Sequence, residues 1–152
     1  MEFTSVTTEG AKGGVRIPVP FDPDEIWGRK PHHDVAGTVN GMGMRASLTP
    51  GAGQSFALGP AWCRPCGMDA GRTVTVVVFP EGPQRGALDP DIDAALSAEP
   101  DAAWFFDGLA QFYKNAYLAW IAATKRSPAE RAHRIATTVA LLKAGQRERP
   151  RP

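Results

Sequence analysis

The stretch VAGTVNGMGMRASL, residues 35–48, narrows the fold more than any other part of the chain. Asn40-Gly41 lies between two β-rich runs, and this dipeptide suits a two-residue hairpin turn in which both central residues need positive φ. Folding the strands about it sets Val39 opposite Met42, Gly37 opposite Met44 and Val35 opposite Ala46. Those pairs form one apolar face. Ala36, Thr38, Gly43 and Arg45 fall on the other, so Arg45 is predicted away from the core, at the surface or under a covering helix.

The neighbouring segments extend the β pattern. FTSV and VRIPV flank a Gly-rich turn, SFAL is a short strand, and RTVTVVVF is a long one with Val74, Val76 and Val78 on one face. TPGAGQ between them is a loop. In PFDPDEIWG, Asp22 is a good N-cap, Pro23 suits the first helical position and Gly28 can stop the turn, which predicts one short helix. Short strands with Gly/Pro turns point to an antiparallel barrel or sandwich. After Pro80 the period becomes helical. Helices are predicted from Asp89-Pro90 (Ile92, Ala95, Leu96 inward), from Pro100 (Trp104, Phe105, Leu109) and from about Gln111 (Tyr113, Ala116, Tyr117, Trp120, Ile121). Ser127-Pro128-Ala129-Glu130 is a capping box opening a last helix, with Ile135, Val139 and Leu142 inward and Gly145 at its end. The expected class is α+β: a small antiparallel β-barrel over 1–85, a packed bundle of three to four helices over 86–145, and a disordered basic tail over 146–152.

Composition sets the class of protein but not its chemistry. With 43% hydrophobic and 22% charged residues over 152 positions the chain is globular, and its net charge of +1 argues against wholesale nucleic-acid binding. Charge is uneven. Seven acids face Arg85 alone between Glu81 and Asp107, while nine Lys/Arg face only Glu130 and Glu148 from Gly108 on. An anionic partner would produce this split, and so would acidic helix starts with basic helix ends. No export signal or apolar run of membrane length is visible, and there are two cysteines, so a reducing cytoplasmic location is expected.

The motifs together carry a resemblance. PFDPDEIWG, GTVNGMGMRASLTPGAGQSFALG and GMDAGRTVTVVV resemble the N-terminal barrel, a domain of unknown function, of the bacterial YdeI-like, OmpD-associated "bacteriocin-protection" proteins. LDPDIDAALSAEPDAAWFFDGL and YLAWIAATKRSPAERAHRIATTVALLKAG resemble their helical half. The resemblance spans Phe3 to Gly145, and its most specific piece runs from Tyr117 through Trp120, Lys125 and Arg131 to Arg134-Ile135. It implies a small barrel with a packed helical tail and no established activity. The chain departs from the family pattern at His32-His33, at Trp62-Cys63-Arg64-Pro65-Cys66 and at Phe112-Tyr113.

Several constellations bear on chemistry. WCRPC is similar to a thioredoxin active site, because a Cys-x-x-Cys pair at a helix start has its thiolate stabilised by free N–H groups. Its context differs, since Gly67 follows at once and no βαβ unit surrounds it. Chance similarity in a barrel loop and a reversible disulfide are the alternatives. Cys63, Cys66, His32 and His33 match zinc in ligand type, but adjacent histidines in a strand point to opposite faces. The plainer reading is two surface histidines beside a loop, with no cofactor. His133 between Arg131 and Arg134 suggests a solvated basic face or an anion-binding cluster. Paired carboxylates, a nucleophile elbow, a phosphate loop and HExxH are all missing.

Three functions follow from these readings. The first is a binding or protective protein, monomer or dimer, holding a small molecule or peptide at a barrel–helix seam walled by Arg45, Trp62, Tyr117 and Trp120. Arg45 would then meet an anionic group, unless it simply pairs with an acid between Asp89 and Asp107. The second is a cofactor-free barrel enzyme of isomerase or cyclase type, with catalytic residues undefined. The third is thiol or metal chemistry at Cys63 and Cys66.

Overall fold

The computed structural model describes residues 1–48, 54–124 and 126–151. Most of the expected TPGAGQ loop, and Lys125, lie outside them. The chain divides into two units, Met1–Glu81 and Gly82–Pro152. The first is built on antiparallel sheets and the second on helices, which gives the α+β organisation expected.

In the first unit the order is β1 (Glu2–Val6), β2 (Thr8–Glu9), β3 (Val15–Pro18), α1 (Pro23–Trp27), β4 (His33–Val39), β5 (Met42–Leu48), β6 (Ser55–Leu58), α2 (Pro60–Cys66) and β7 (Thr73–Pro80). The strands do not close into the expected barrel. Among the described residues they form two antiparallel sheets, β1-β7-β4-β5 and β2-β3-β6. Thr7 shows how the chain leaves one sheet for the other. Its N–H donates to the Arg72 carbonyl at 2.8 Å and its hydroxyl to the Asp69 carbonyl at 2.7 Å, so loop bonds replace a ladder there.

The hairpin follows its sequence. Val39 pairs with Met42, Gly37 with Met44 and Val35 with Ala46, and Asn40 and Gly41 take φ of 50° and 79°. Val35, Val39 and Met44 point into the core beside Val74, Val76 and Val78 of β7. Ile17, Phe56 and Leu58 complete that core from the second sheet. Gly37 lets β7 approach, because a Cβ there would stand 1.8 Å from the Val77 carbonyl oxygen. At α1, the Asp22 carboxylate accepts the Asp24 N–H at 2.9 Å, Pro23 holds the first turn and Gly28 ends it.

The second unit holds α3 (Pro90–Ser97), α4 (Pro100–Asp107), α5 (Gln111–Ala122) and α6 (Pro128–Lys143). Ile92, Leu96, Phe106, Tyr117, Ile121, Ile135 and Leu142 form its core. Ser127 caps α6 through the Glu130 N–H, and Gly145 (φ 76°) ends it with its N–H on the Leu142 carbonyl. Two inward assignments are corrected. Trp104 is 44% exposed and Ala116 is exposed, whereas Phe106 and Lys114 are buried. On the eight-residue α4 the buried stripe is Ala102, Ala103 and Phe106; Trp104 lies about 200° around from Phe106 at roughly 100° per residue. The charge split is resolved inside this unit. Arg131 bridges Asp89 and Asp91, Lys143 meets Glu99, and Arg85 meets Asp107.

Candidate functional site

The hairpin register assembles a concave surface on the outer face of the first sheet. Ala36 of β4 lies between Arg45 of β5 and Phe79 of β7 in one cross-strand row. The small residues Ala36 and Gly43 leave a shallow, open space of about 490 Å³ bordered by Arg45, Trp62 and Phe79. Trp62 comes to it from α2, its indole N–H donating to the Gly43 carbonyl at 2.8 Å. Phe79 is 53% exposed, an unusual position for a large aromatic residue.

Arg45 faces outward from the sheet, as its register requires. Its partner is Glu81 rather than an acid between Asp89 and Asp107. Nε donates to one carboxylate oxygen at 2.8 Å and an Nη donates to the other. The Glu81 carboxylate holds the guanidinium more firmly protonated than usual. One Nη of this fork remains available to a ligand, since Arg carries five N–H donors. The concavity is therefore apolar in its body, with a neutralised ion pair at one rim.

The other expected wall residues belong to the second unit. Tyr117 is buried and its hydroxyl donates to the Gln146 carbonyl at 2.9 Å. Burial pushes that phenol up. Trp120 lies under two guanidinium groups, Arg134 at 4.9 Å and Arg149 at 4.4 Å from its ring centroid. Arg45 and Trp62 are thus brought onto one surface, and Tyr117 and Trp120 onto one helix.

The remaining candidates do not converge. Cys63 is buried, with its thiol near the Leu58 carbonyl at 3.5 Å, and both cysteines are free thiols. Cys63 is the fourth residue of α2 and Cys66 the last, so neither opens the helix. His32 and His33 face apart. His33 is not a surface residue as expected but buried, with Nε2 2.7 Å from an Asp24 oxygen and Nδ1 lacking a partner among the described residues. Its bond holds the Asp24 carboxyl below the usual carboxylate range. His32 instead stands 3.6 Å from Asp34. Among the described residues, no three His, Cys, Asp or Glu side chains gather where a metal could sit. Arg131 and Arg134 do not form one anion cradle. Arg131 is spent on Asp89 and Asp91, with its protonation reinforced chiefly by Asp91. Arg134 donates to Glu130 and to the Trp120 carbonyl.

Sequence reasoning missed Phe79, Ala36 and Glu81 as parts of the surface. The hairpin alone predicts that Ala36 faces Arg45, but the third strand of the row pairs across about forty residues, and no local signal encodes that.

Comparison with protein families accounts for both units. Residues 3–78, half of the chain, match a domain of unknown function (DUF1905). Residues 87–145 match the family described as bacteriocin-protection, YdeI or OmpD-associated. The chain belongs to this family. No curated protein matches it. Among the described residues no helix is long and apolar enough to cross a membrane. The family description carries a protective role, while the two matched regions name no reaction.

Proposed function

We propose that the protein is a binding protein, and that the concavity walled by Arg45, Trp62 and Phe79 takes the flat apolar body of a small molecule or peptide side chain. The observation that carries this reading is the half-exposed Phe79 facing Arg45 across a floor of Ala36, with Trp62 fixed at the side. Ligand sites of roughly 300–1,000 Å³ are mostly apolar with a few placed polar groups. Here the polar group is the free edge of the Arg45 guanidinium, which suits an anionic or carbonyl end on the ligand. Capture of such a compound fits the protective role in the family description.

A catalytic reading has less support. Among the described residues, Thr7 and His33 are the buried polar residues of the first unit, and His33 hydrogen-bonds Asp24 rather than joining a convergent set. A thiol reading meets a buried Cys63.

The probe for this surface is anilinonaphthalene sulfonate, a flat apolar body with one anionic end. It is expected to bind saturably with enhanced fluorescence. Filling the floor with Ala36→Leu, or removing a wall with Phe79→Ala, should weaken binding at least tenfold while circular dichroism is unchanged. Trp120→Ala should leave it as it was. Equal binding by the parent and Ala36→Leu would overturn the assignment.

A further inference from the structure

Tyr113, Tyr117 and Trp120 stand at i, i+4 and i+7 of α5 and form one aromatic stripe along the helix. Gln146, Arg147 and Arg149 lie against it. After Gly145 the backbone bends at Arg147 and Glu148. The Gln146 carbonyl accepts the Tyr117 hydroxyl at 2.9 Å. The Arg147 guanidinium lies 5.8 Å from the centroid of the Tyr113 ring, and that of Arg149 lies 4.4 Å from the Trp120 ring. Two arginines two residues apart thus splay to either side of a central tyrosine. Among the described residues neither guanidinium is tied to a carboxylate, in contrast to Arg45, Arg85 and Arg131.

We infer that the aromatic stripe of α5 is a recognition surface for a peptide bearing Arg-x-Arg, and that segment 146–151 occupies it as an internal, displaceable stand-in. Three features carry the inference. The stripe offers cation–π faces at both ends and a phenol donor between them, which is a complete set of contacts for a bent Arg-x-Arg backbone. The present occupant has that chemistry itself, so the surface is shown filled with its own kind of ligand. The contacts are also weak enough to exchange. A cation–π pair at an exposed site contributes little binding energy, and tethered occupancy acts at an effective concentration on the order of millimolar. A free peptide of the same type therefore competes with the segment. This surface is separate from the concavity at Arg45, and its test does not depend on that site.

The experiment uses the full chain and a synthetic peptide, Gln-Arg-Glu-Arg-Pro-Arg, followed by nitrogen–proton NMR of the indole groups. In an Arg147→Gln/Arg149→Gln variant, which keeps the segment but loosens it, the Trp120 indole signal should shift saturably with added peptide. The parent should need several-fold more peptide for the same shift. Adding Trp120→Phe to the loosened variant retains a ring and should keep binding, followed through the α5 backbone amide shifts, whereas Trp120→Leu should abolish those shifts with the rest of the backbone spectrum preserved. A peptide with both Arg-x-Arg arginines replaced by Gln should not bind. Equal affinity for parent and loosened variant, or no saturable shift in the variant, would overturn the inference.

Discussion

The two units reach order by different means. In Met1–Glu81 the backbone sets the arrangement: ladders fix register, a glycine admits the neighbouring strand, and the interior is almost wholly aliphatic and aromatic. In Gly82–Pro152 the helices satisfy their own backbones, so their packing is set by side chains. Arg131 joins α6 to Asp89 and Asp91, Lys143 meets Glu99, and buried Lys114 stands over the Phe106 ring at 5.3 Å. The lesson is that the first unit should respond sharply to changes in backbone freedom, and the second to changes in charge.

Gly37→Ala tests the backbone side most severely. Its Cβ would meet the Val77 carbonyl, and forced overpacking of this kind costs about 3 kcal/mol, the upper end of the usual range. Residue-resolved hydrogen exchange should show lost protection in β4 and β7, with α5 and α6 as in the parent. Equal loss in both units would break the contrast. Replacing Asn40-Gly41 with Ala-Ala comes next. Left-handed backbone costs a non-glycine residue about 1–2 kcal/mol, and Asn40 also loses its side-chain bond from the Thr75 N–H at 2.9 Å. Gly41→Ala alone, which leaves Asn40 and that bond in place, should lower the urea midpoint by less than the single Gly37 change.

Charge effects are smaller. Asp24 and Asp91 both have carboxyl groups held below their ordinary value, by His33 and by Arg131 respectively. A depressed carboxyl pKa adds stability above the unfolded value near 3.9, and that stability is lost as pH falls through the folded value. Acid should therefore weaken both units below about pH 4. Arg131→Gln should flatten this acid limb in the second unit alone and, because the carboxylates it pairs with are solvent-exposed, cost about 1 kcal/mol or less at neutral pH. Added salt should shrink that difference further. A change in the acid limb of β4 would contradict the assignment.

The parts of the fold legible in sequence were those governed by neighbours along the chain. Asn-Gly fixed the hairpin, Asp22-Pro23 and Ser127-Pro128 opened their helices, and alternation placed Val74, Val76 and Val78 inward. Trp104 was misjudged because a large aromatic on a two-turn helix reads as core, while the stripe that packs is alanine-rich. Barrel closure was not legible, since sheet closure depends on which distant strands pair. Half of the candidate surface could be anticipated. Arg45 followed from the hairpin, but Phe79 and Glu81 arrive through the β4–β7 ladder. His33 was hidden for the same reason, because its partner Asp24 sits on α1 and meets it only once the strand is in place.

The bond from Trp62 to Gly43 has an effect on how the protein behaves among other copies of itself. β5 is the last strand of its sheet. With a two-residue turn closing at Val39 and Met42, the carbonyl of Gly43 points outward, away from β4. An outward carbonyl on a terminal strand invites a foreign strand to add. The indole N–H occupies it, so Trp62 is a guard on the open flank as well as a wall. Damage to that one ring, by oxidation or by substitution with alanine, would leave a glycine-bearing strand ready to recruit others, and solubility would fail before the core does.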